Sequence, residues 1–570
     1  MGIKCYCHQN NFIIYRKHQP VKCLCIALRQ PRTLDMSEDT TSSFETTEKA
    51  IDVLMKENAS ATNSSEFDNN IVSQTAFSSE KDTTTAKNKL PLQPILLCLA
   101  TSFAGFIFGW DVGTIGGITN MASFQNHFGT KYNAATNMYY FPKMLVGLIV
   151  SIFNISCALG GLFLVKIADI NGRKPGIYAA LTIYSLGTLI GWTCGASWWY
   201  FFFARFISGL GVGATAVMIP MFIGESAPIN IRGAMVVLYQ LMITLGILAG
   251  NIVNYSCKNT LNARDNITWK IPVGLGNLWA AIVVLGVHLM PESPLFLTKR
   301  FGDVLQAKKS FARMNSLNTD DPLVEDHIQN LMKEAEADDK LDEGTKHGKF
   351  EFIFGEPRLG FRLFIGIMVM AFQQLSGANY FFYYGTTLFN SVGIEDPYLT
   401  SILLSSVNFA STFLGIYLVE RLGRKACLIL GSVGMFTCMS IYASVGSFAL
   451  TKTPQASGAV MITFTCIYIM FFACTSGPVS FVVISELFPA RTKAISMAIC
   501  TSMNWLCNFF ISLFTPYVTE KIGFKLGFVF AVCLFVSVWF FTFFLKETKN
   551  KTSEEVDKLY ALTELSLIHI

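Results

Sequence analysis

From Leu92 onward, apolar stretches of roughly twenty residues recur, separated by short polar segments. A helix crossing the ~30 Å hydrocarbon core of a bilayer needs about that length. The pattern predicts twelve spans, over 92–115, 143–165, 177–196, 199–222, 234–255 and 271–290, then 361–389, 399–419, 426–447, 459–484, 494–516 and 525–545. A charged stretch, 291–360, separates the sixth from the seventh. The expected fold is therefore an all-α integral membrane protein of twelve transmembrane helices. Its two six-helix halves, 92–290 and 361–545, are joined by a middle loop, 291–360, carrying short helices. The tails are 1–91 and 546–570. Residues 36–90 are polar and low in complexity, too poor in apolar surface to offset the entropy of ordering, so the N-terminal tail is expected to be disordered.

Composition agrees with this division. Of the 570 residues, 52% are hydrophobic and only 15% charged, where soluble chains carry about 25% charged residues. A net charge of +5 is too small and too dispersed for nucleic acid to be a partner. Among the fifteen cysteines, Cys157, Cys194, Cys474 and Cys533 sit in apolar runs and read as small packing residues. Cys5, Cys7, Cys23 and Cys25 with His8 and His18 do not match a usual zinc spacing. No cleavable signal peptide is visible in 1–35, and Met36 is an alternative start.

Lysine and arginine set the orientation. Arg173 and Lys174 follow the second span, Arg232 the fourth, Arg421, Arg424 and Lys425 the eighth, and Arg491 and Lys493 the tenth. Loops on the other side are poor in both residues, so both termini and the middle loop are expected in the cytoplasm. Asn266-Ile267-Thr268 would then be an outside glycosylation sequon. The same loops carry an internal repeat. Asp169-Ile-Asn-Gly-Arg173-Lys is echoed by Glu420-Arg-Leu-Gly-Arg424-Lys, and Glu225…Arg232 by Glu486…Arg491. Two charge motifs recurring in order at matching positions point to parallel six-helix repeats, a known transporter architecture.

Polar residues inside spans are costly in lipid and usually face a cavity. Gln373, Gln374 and Asn379 fall in span 7, and a bent or broken helix at Gly377 would bring them to one cavity. Gln240 in span 5, Asn408 in span 8 and Asn504 in span 11 are further amides in apolar settings. Such groups donate and accept without a charge to desolvate, which suits a small polar solute; the rival reading is bonding between neighbouring helices. Asp111 in span 1 and Arg205 in span 4 form the obvious buried pair, since a lone buried carboxylate would neutralise.

Taken together, the two Gly-Arg-Lys loops, Pro291-Glu292-Ser293-Pro294, Gln373-Gln374-Leu375-Ser376-Gly377 and Gly477-Pro478 resemble the sugar porters of the major facilitator superfamily. The stretches 105–117 and 379–387 resemble yeast hexose transporters in particular. Departures are Leu295 after Pro-Glu-Ser-Pro, Lys546-Glu547-Thr548-Lys549-Asn550 after the last span, and Ala378 before Asn379. The resemblance implies that the six amides bind sugar, that Phe481 and Tyr468 supply aromatic contacts, and that Tyr380, Phe381, Tyr383 and Tyr384 form an outer gate. Ser476 stands where several yeast relatives have Trp. In proton-coupled relatives the residue matching Asp111 takes up the proton; yeast facilitators share the motif, and a static pair is favoured here. Asp169, Arg173, Glu225, Arg232, Glu420, Arg424, Glu486 and Arg491 would form gating pairs where the halves meet, or else serve topology alone.

The expected function is facilitated hexose uptake across the plasma membrane by a monomeric transport unit, with a sugar and the lipid bilayer as its partners. Proton-coupled symport and a non-transporting sugar sensor are the alternatives. With about 25 residues after span 12, a tail-dependent sensor loses most of its support. No phosphate-binding Gly-x-x-x-x-Gly-Lys-Ser/Thr motif occurs and histidines are few, so neither an enzyme, a cofactor nor a metal is expected.

Overall fold

The computed structural model describes residues 4–8, 11–16, 19–20 and 92–561, the last range apart from 135–137, 196, 227–231, 263–264, 345–349, 391–396 and 550. Two units are distinguished, 1–90 and 91–570. In the first, strands Lys4–His8, Asn11–Arg16 and Gln19–Pro20 form an antiparallel sheet, with Lys4 opposite Tyr15 and His8 opposite Asn11. These strands fall inside the tail expected to be disordered. The β-branched and aromatic run Phe12-Ile13-Ile14-Tyr15 is what a strand favours. The low-complexity stretch 36–90 lies outside the described residues.

In the second unit, ten stretches are long and apolar enough to cross a membrane. One of them, Arg491–Phe543, holds two helices separated at Gly523, and Arg173–Thr193 is a further helix of membrane length. The described residues therefore contain the twelve expected spans. Span 1 is Leu92–Ser102 with Ala104–Asn120, span 2 Lys143–Phe163 with Val165–Asn171, and span 3 Arg173–Thr193. Spans 4, 5 and 6 are Trp198–Ser226, Arg232–Thr260 and Ile267–Leu289. Span 7 is Leu359–Leu375 with Ala378–Asn390, span 8 Pro397–Leu422, and span 9 Arg424–Ser444. Span 10 is Pro454–Cys474 with Ser476–Leu487, span 11 Ala490–Ile522, and span 12 Leu526–Phe543. Helices suit lipid because they satisfy every backbone polar group within the segment.

Within lipid, helices associate through close packing more than through hydrophobicity, so small residues mark the seams. Gly105, Gly109 and Gly113 recur every four residues on one face of span 1. A β-carbon at any of them would run into the backbone carbonyl of Tyr239, Ile243 or Ile247 on span 5. Between the halves, span 2 packs on span 11 and span 5 on span 8. Under the repeat, span 2 corresponds to span 8 and span 5 to span 11, so the two seams are equivalent.

Helices Val304–Asn315, Pro322–Gly344 and Glu351–Phe354 lie between the halves in sequence. After span 12 an amphipathic helix, Ser553–Ala561, buries Val556 and Tyr560. Its Asp557 pairs with the fully buried Arg362 at 2.5 Å. Arg362 also donates to the Leu487 carbonyl at the end of span 10. At the other end of the bundle the sequon has a structural use. Asn266 Nδ2 lies 3.2 Å from His127 Nδ1, its carbonyl accepts from Trp269, and Thr268 is buried.

Candidate functional site

Two spans of the C-terminal half are interrupted at mid-length, and the amides collect at the interruptions. Span 7 breaks between Leu375 and Ala378, where Gly377 adopts φ +91°. This left-handed conformation suits glycine alone without strain. A side chain is excluded there as well, since a β-carbon would lie 2.7 Å from the Phe530 ring. Span 10 breaks at Thr475, just before Gly477-Pro478. Tyr468 braces the first break: it is 1% exposed and its hydroxyl donates to the Ser376 carbonyl at 2.8 Å.

Four of the six amides form a directed chain. Asn379 Nδ2 donates to Gln374 Oε1 at 2.6 Å, and Gln374 Nε2 donates to Asn504 Oδ1 at 2.8 Å. Asn504 Nδ2 donates to Gln373 Oε1 at 2.5 Å, and Gln373 Nε2 to the Gly477 carbonyl at 3.3 Å. The chain thus ties both halves of broken span 7 to spans 10 and 11. Gln240 approaches from the other six-helix half, since a β-carbon at Gly477 would lie 3.5 Å from its Nε2. Exposure divides the set: Gln373 and Asn504 are buried, whereas Gln240, Gln374 and Asn379 are half-buried. Asn408 is 2% exposed, and its Oδ1 has no hydrogen-bond partner. An orphaned buried acceptor of this kind costs about 1–3 kcal/mol, so a bound hydroxyl or water there would recover energy.

The aromatic residues separate into two roles. Tyr380 and Phe381 turn into the C-terminal half, against Tyr442 and Tyr468, so they pack rather than gate. Tyr383 and Tyr384 face the seam. Asn508 Nδ2 donates to the Tyr383 hydroxyl at 3.2 Å and Tyr384 donates to the Ser512 carbonyl at 2.6 Å. Phe481 is half-buried against the apolar core of its own half.

Asp111 and Arg205 meet inside the N-terminal half, Arg205 Nη1 donating to both carboxylate oxygens at 2.6 and 2.8 Å. Both are buried, and the guanidinium lies 4.5 Å from the Phe153 ring centroid.

At the basic end of the bundle the charged motifs pair within each half rather than across the seam. Arg173 donates to Glu225 through Nε and Nη2 at 3.1 and 2.8 Å, and to Asp169 at 2.6 Å. Arg424 donates to Glu486 through the same two nitrogens at 3.0 and 2.7 Å. Arg491 pairs with Glu351, just before span 7, at 2.7 Å. Glu420 is exposed and forms no ion pair among the described residues. The Arg232 side chain lies outside the described residues. The reason is geometric: both arginines open a helix, span 3 or span 9, packed against the span bearing the matching glutamate, span 4 or span 10.

Four further members of these networks appear in the sequence reading only as motif residues, without a role. Glu292 accepts from the backbone N–H of Arg173 and Lys174, both at 3.1 Å, and Ser293 donates to Glu225 at 2.6 Å. Glu547 accepts from the backbone N–H of Arg424 and Lys425 at 2.9 and 3.0 Å, and Thr548 donates to Glu486 at 2.7 Å. The signal was the repeat itself: Glu-Ser after span 6 matches Glu-Thr after span 12.

The family model described as "Sugar (and other) transporter" matches residues 97–560. The hexose transporter HXT14 of Saccharomyces cerevisiae is 49% identical over 480 residues, covering 82% of this chain and 88% of its own. The low-affinity glucose transporter HXT4 of the same yeast is 44% identical over 471 residues, covering 82% and 80%. Among solved structures, the proton:xylose symporter XylE bound to 6-bromo-6-deoxy-D-glucose superposes with a TM-score of 0.71 at 25% identity, covering 83% of this chain and all of that one. With twelve spans in two repeated halves and matched along most of its length, this chain belongs to the sugar transporter family, the sugar porters of the major facilitator superfamily.

Proposed function

We propose that the chain carries a hexose across the plasma membrane by facilitated diffusion, exposing one site between its halves to each side in turn. The reading rests on the amide chain Asn379–Gln374–Asn504–Gln373, which lies at the break of span 7 with Gln240 facing it from the other half. Gln240, Gln374 and Asn379 contact the sugar, while Gln373 and Asn504 hold Gln374 in place. Asn408 offers its unpaired carbonyl. Tyr468 acts through the break and not on the sugar. Neutral amides bind a hydroxylated solute without desolvating a charge, and the relatives that are 44–49% identical are named for hexose or glucose. The basic end faces the cytoplasm, as the positive-inside rule directs, and the transport unit is the monomer.

Proton-coupled symport is the second reading, kept open by Asp111, a buried carboxylate, and by the similarity to a proton:xylose symporter. Uptake of radiolabelled glucose and galactose in a yeast lacking its own hexose carriers separates the two. A facilitator keeps its uptake when a protonophore is added and stops at equal concentrations. Collapse of uptake would assign Asp111 the proton, and no uptake despite surface expression would end the transport reading.

A further inference from the structure

Away from the central site, spans 3 and 6 leave a groove of about 480 Å³ lined by Tyr178, Thr182, Ala281, Val284, Leu285 and His288. Tyr178 and Thr182 are one helical turn apart on span 3, and Ala281, Leu285 and His288 share a face of span 6. All but Tyr178 are exposed on the flank of the bundle, the surface that meets the bilayer in a chain of this family.

The end of the groove nearest the basic loops is positively charged. Lys174, one turn before Tyr178, donates from Nζ to the carbonyls of His288 and Met290 at 3.2 and 2.7 Å. Arg313, from the helix Val304–Asn315, donates from Nη2 to the carbonyl of Leu289 at 3.1 Å. The last carbonyls of a helix lack intrahelical partners, so both cations act as caps. That role leaves donors over. An ammonium has three N–H bonds and a guanidinium five, and these contacts use two and one of them. The Glu292 carboxylate accepts from the Lys174 backbone N–H, and among the described residues neither the Lys174 ammonium nor the Arg313 guanidinium forms an ion pair. The Tyr178 hydroxyl is buried with no hydrogen-bond partner.

An apolar slot open to lipid and two cations with N–H donors to spare at its polar end match one amphiphile. We propose that this groove is a site for a single glycerophospholipid, its acyl chain lying between spans 3 and 6 and its phosphodiester held by Lys174 and Arg313. A soluble anion has no use for the slot, and a neutral diacylglycerol none for the cations. Basic pockets beside transmembrane helices are a known way to recognise lipid head groups.

Native mass spectrometry of the detergent-purified full chain tests the site, with palmitoyl-oleoyl phosphatidylserine and the diacylglycerol of the same chains as probes. We expect a first phosphatidylserine adduct at several-fold lower lipid concentration than the diacylglycerol adduct. Arg313→Gln should weaken the phosphatidylserine adduct several-fold and leave the diacylglycerol unchanged. Ala281→Phe, on an exposed position that fills the slot, should weaken both, whereas Val532→Phe on the exposed face of span 12 should weaken neither. Equal binding of the two probes, or phosphatidylserine binding unaffected by Arg313→Gln and Ala281→Phe, would overturn the proposal.

Discussion

Asn154 on span 2 donates from Nδ2 to Ser512 Oγ on span 11 at 2.9 Å, with both residues fully buried in the seam between the halves. The equivalent seam carries a like bond with the roles of the two helices exchanged, Asn251 Nδ2 on span 5 to Ser405 Oγ on span 8 at 2.8 Å. Nearby, towards the end away from the basic loops, Tyr398 donates to the Gly117 carbonyl at 3.1 Å and Lys143 pairs with Glu520 at 3.3 Å. The two Asn–Ser bonds therefore staple the halves together at the end proposed to face outwards. Each serine hydroxyl also donates to a carbonyl of its own helix at 2.6 Å, so removing an asparagine leaves neither serine unsatisfied. Asn154 Oδ1 also accepts across the seam from Asn508 and Tyr383. A net hydrogen bond contributes about 1 kcal/mol, and distant sites add, so Asn154→Ala with Asn251→Ala should shift the two-state equilibrium by at least about 2 kcal/mol towards outward opening. Labels at Lys131 and Lys452, exposed on opposite halves, should report a longer distance in the double variant. An unchanged distance would mean that these bonds do not hold the gate.

The amide chain makes a graded prediction. Gln374 accepts from Asn379 and donates to Asn504, so Gln374→Ala removes a sugar contact and frees both neighbours. A site built to hydrogen-bond its substrate loses heavily when a partner is missing. We expect Gln374→Ala and Asn379→Ala to abolish hexose uptake while leaving surface expression intact. Gln373→Ala loses the bonds to Asn504 and to the Gly477 carbonyl and should act indirectly, raising KM by about tenfold where the support passed to Gln374 is worth about 1.4 kcal/mol. Uptake retained in both Gln374→Ala and Asn379→Ala would remove the site.

The spans, the repeat and the break at Gly377 were legible in the sequence because lipid permits few solutions: long apolar helices, and irregular backbone only beside a cavity. The amides of span 7 were legible for the same reason, since polar groups at that depth are rare. Asn154, Asn508, Ser512, Asn251 and Ser405 were not. A single Asn or Ser in an apolar run has the same appearance whether it bonds its own helix or the opposite half, and the difference lies in seam geometry. The charged motifs were found but their partners were not. Sequence order shows that Arg173 and Arg424 are equivalent, yet only packing shows that each reaches a glutamate of its own half.

Gly377 tests whether the break is required. Substitution by Ala places a residue with a β-carbon at φ +91° and directs that carbon into the Phe530 ring. The conformational cost alone is of order 1–3 kcal/mol, and the steric cost adds to it. We expect Gly377→Ala to reduce the yield of folded protein in size-exclusion chromatography, with partial recovery in Gly377→Ala/Phe530→Ala. Full recovery would mean that the clash matters and the left-handed backbone does not, while a normal yield in the single variant would mean that span 7 tolerates another path.

The two arginine networks differ at Nη1 and in the Phe296 ring that lies 5.7 Å from the Arg173 guanidinium, and both differences set the order of two conservative variants. Both arginines grip a glutamate with Nε and Nη2, but Arg173 Nη1 also reaches Asp169, whereas among the described residues Arg424 Nη1 meets the Val419 carbonyl, at 3.4 Å, and no carboxylate. Lysine offers one compact charge and cannot reproduce a fork that spans two carboxylates. Arg173→Lys should therefore lower the melting temperature in detergent by more than Arg424→Lys does. The Asp169 side chain is 45% exposed, so its part of the difference is at most about 1 kcal/mol. Asp169→Asn removes that part, and in its background the two lysine variants should differ only by the Phe296 contact. An Arg424→Lys variant as damaging as Arg173→Lys, with no response to Asp169→Asn, would show that the Glu225 and Glu486 contacts alone account for both networks.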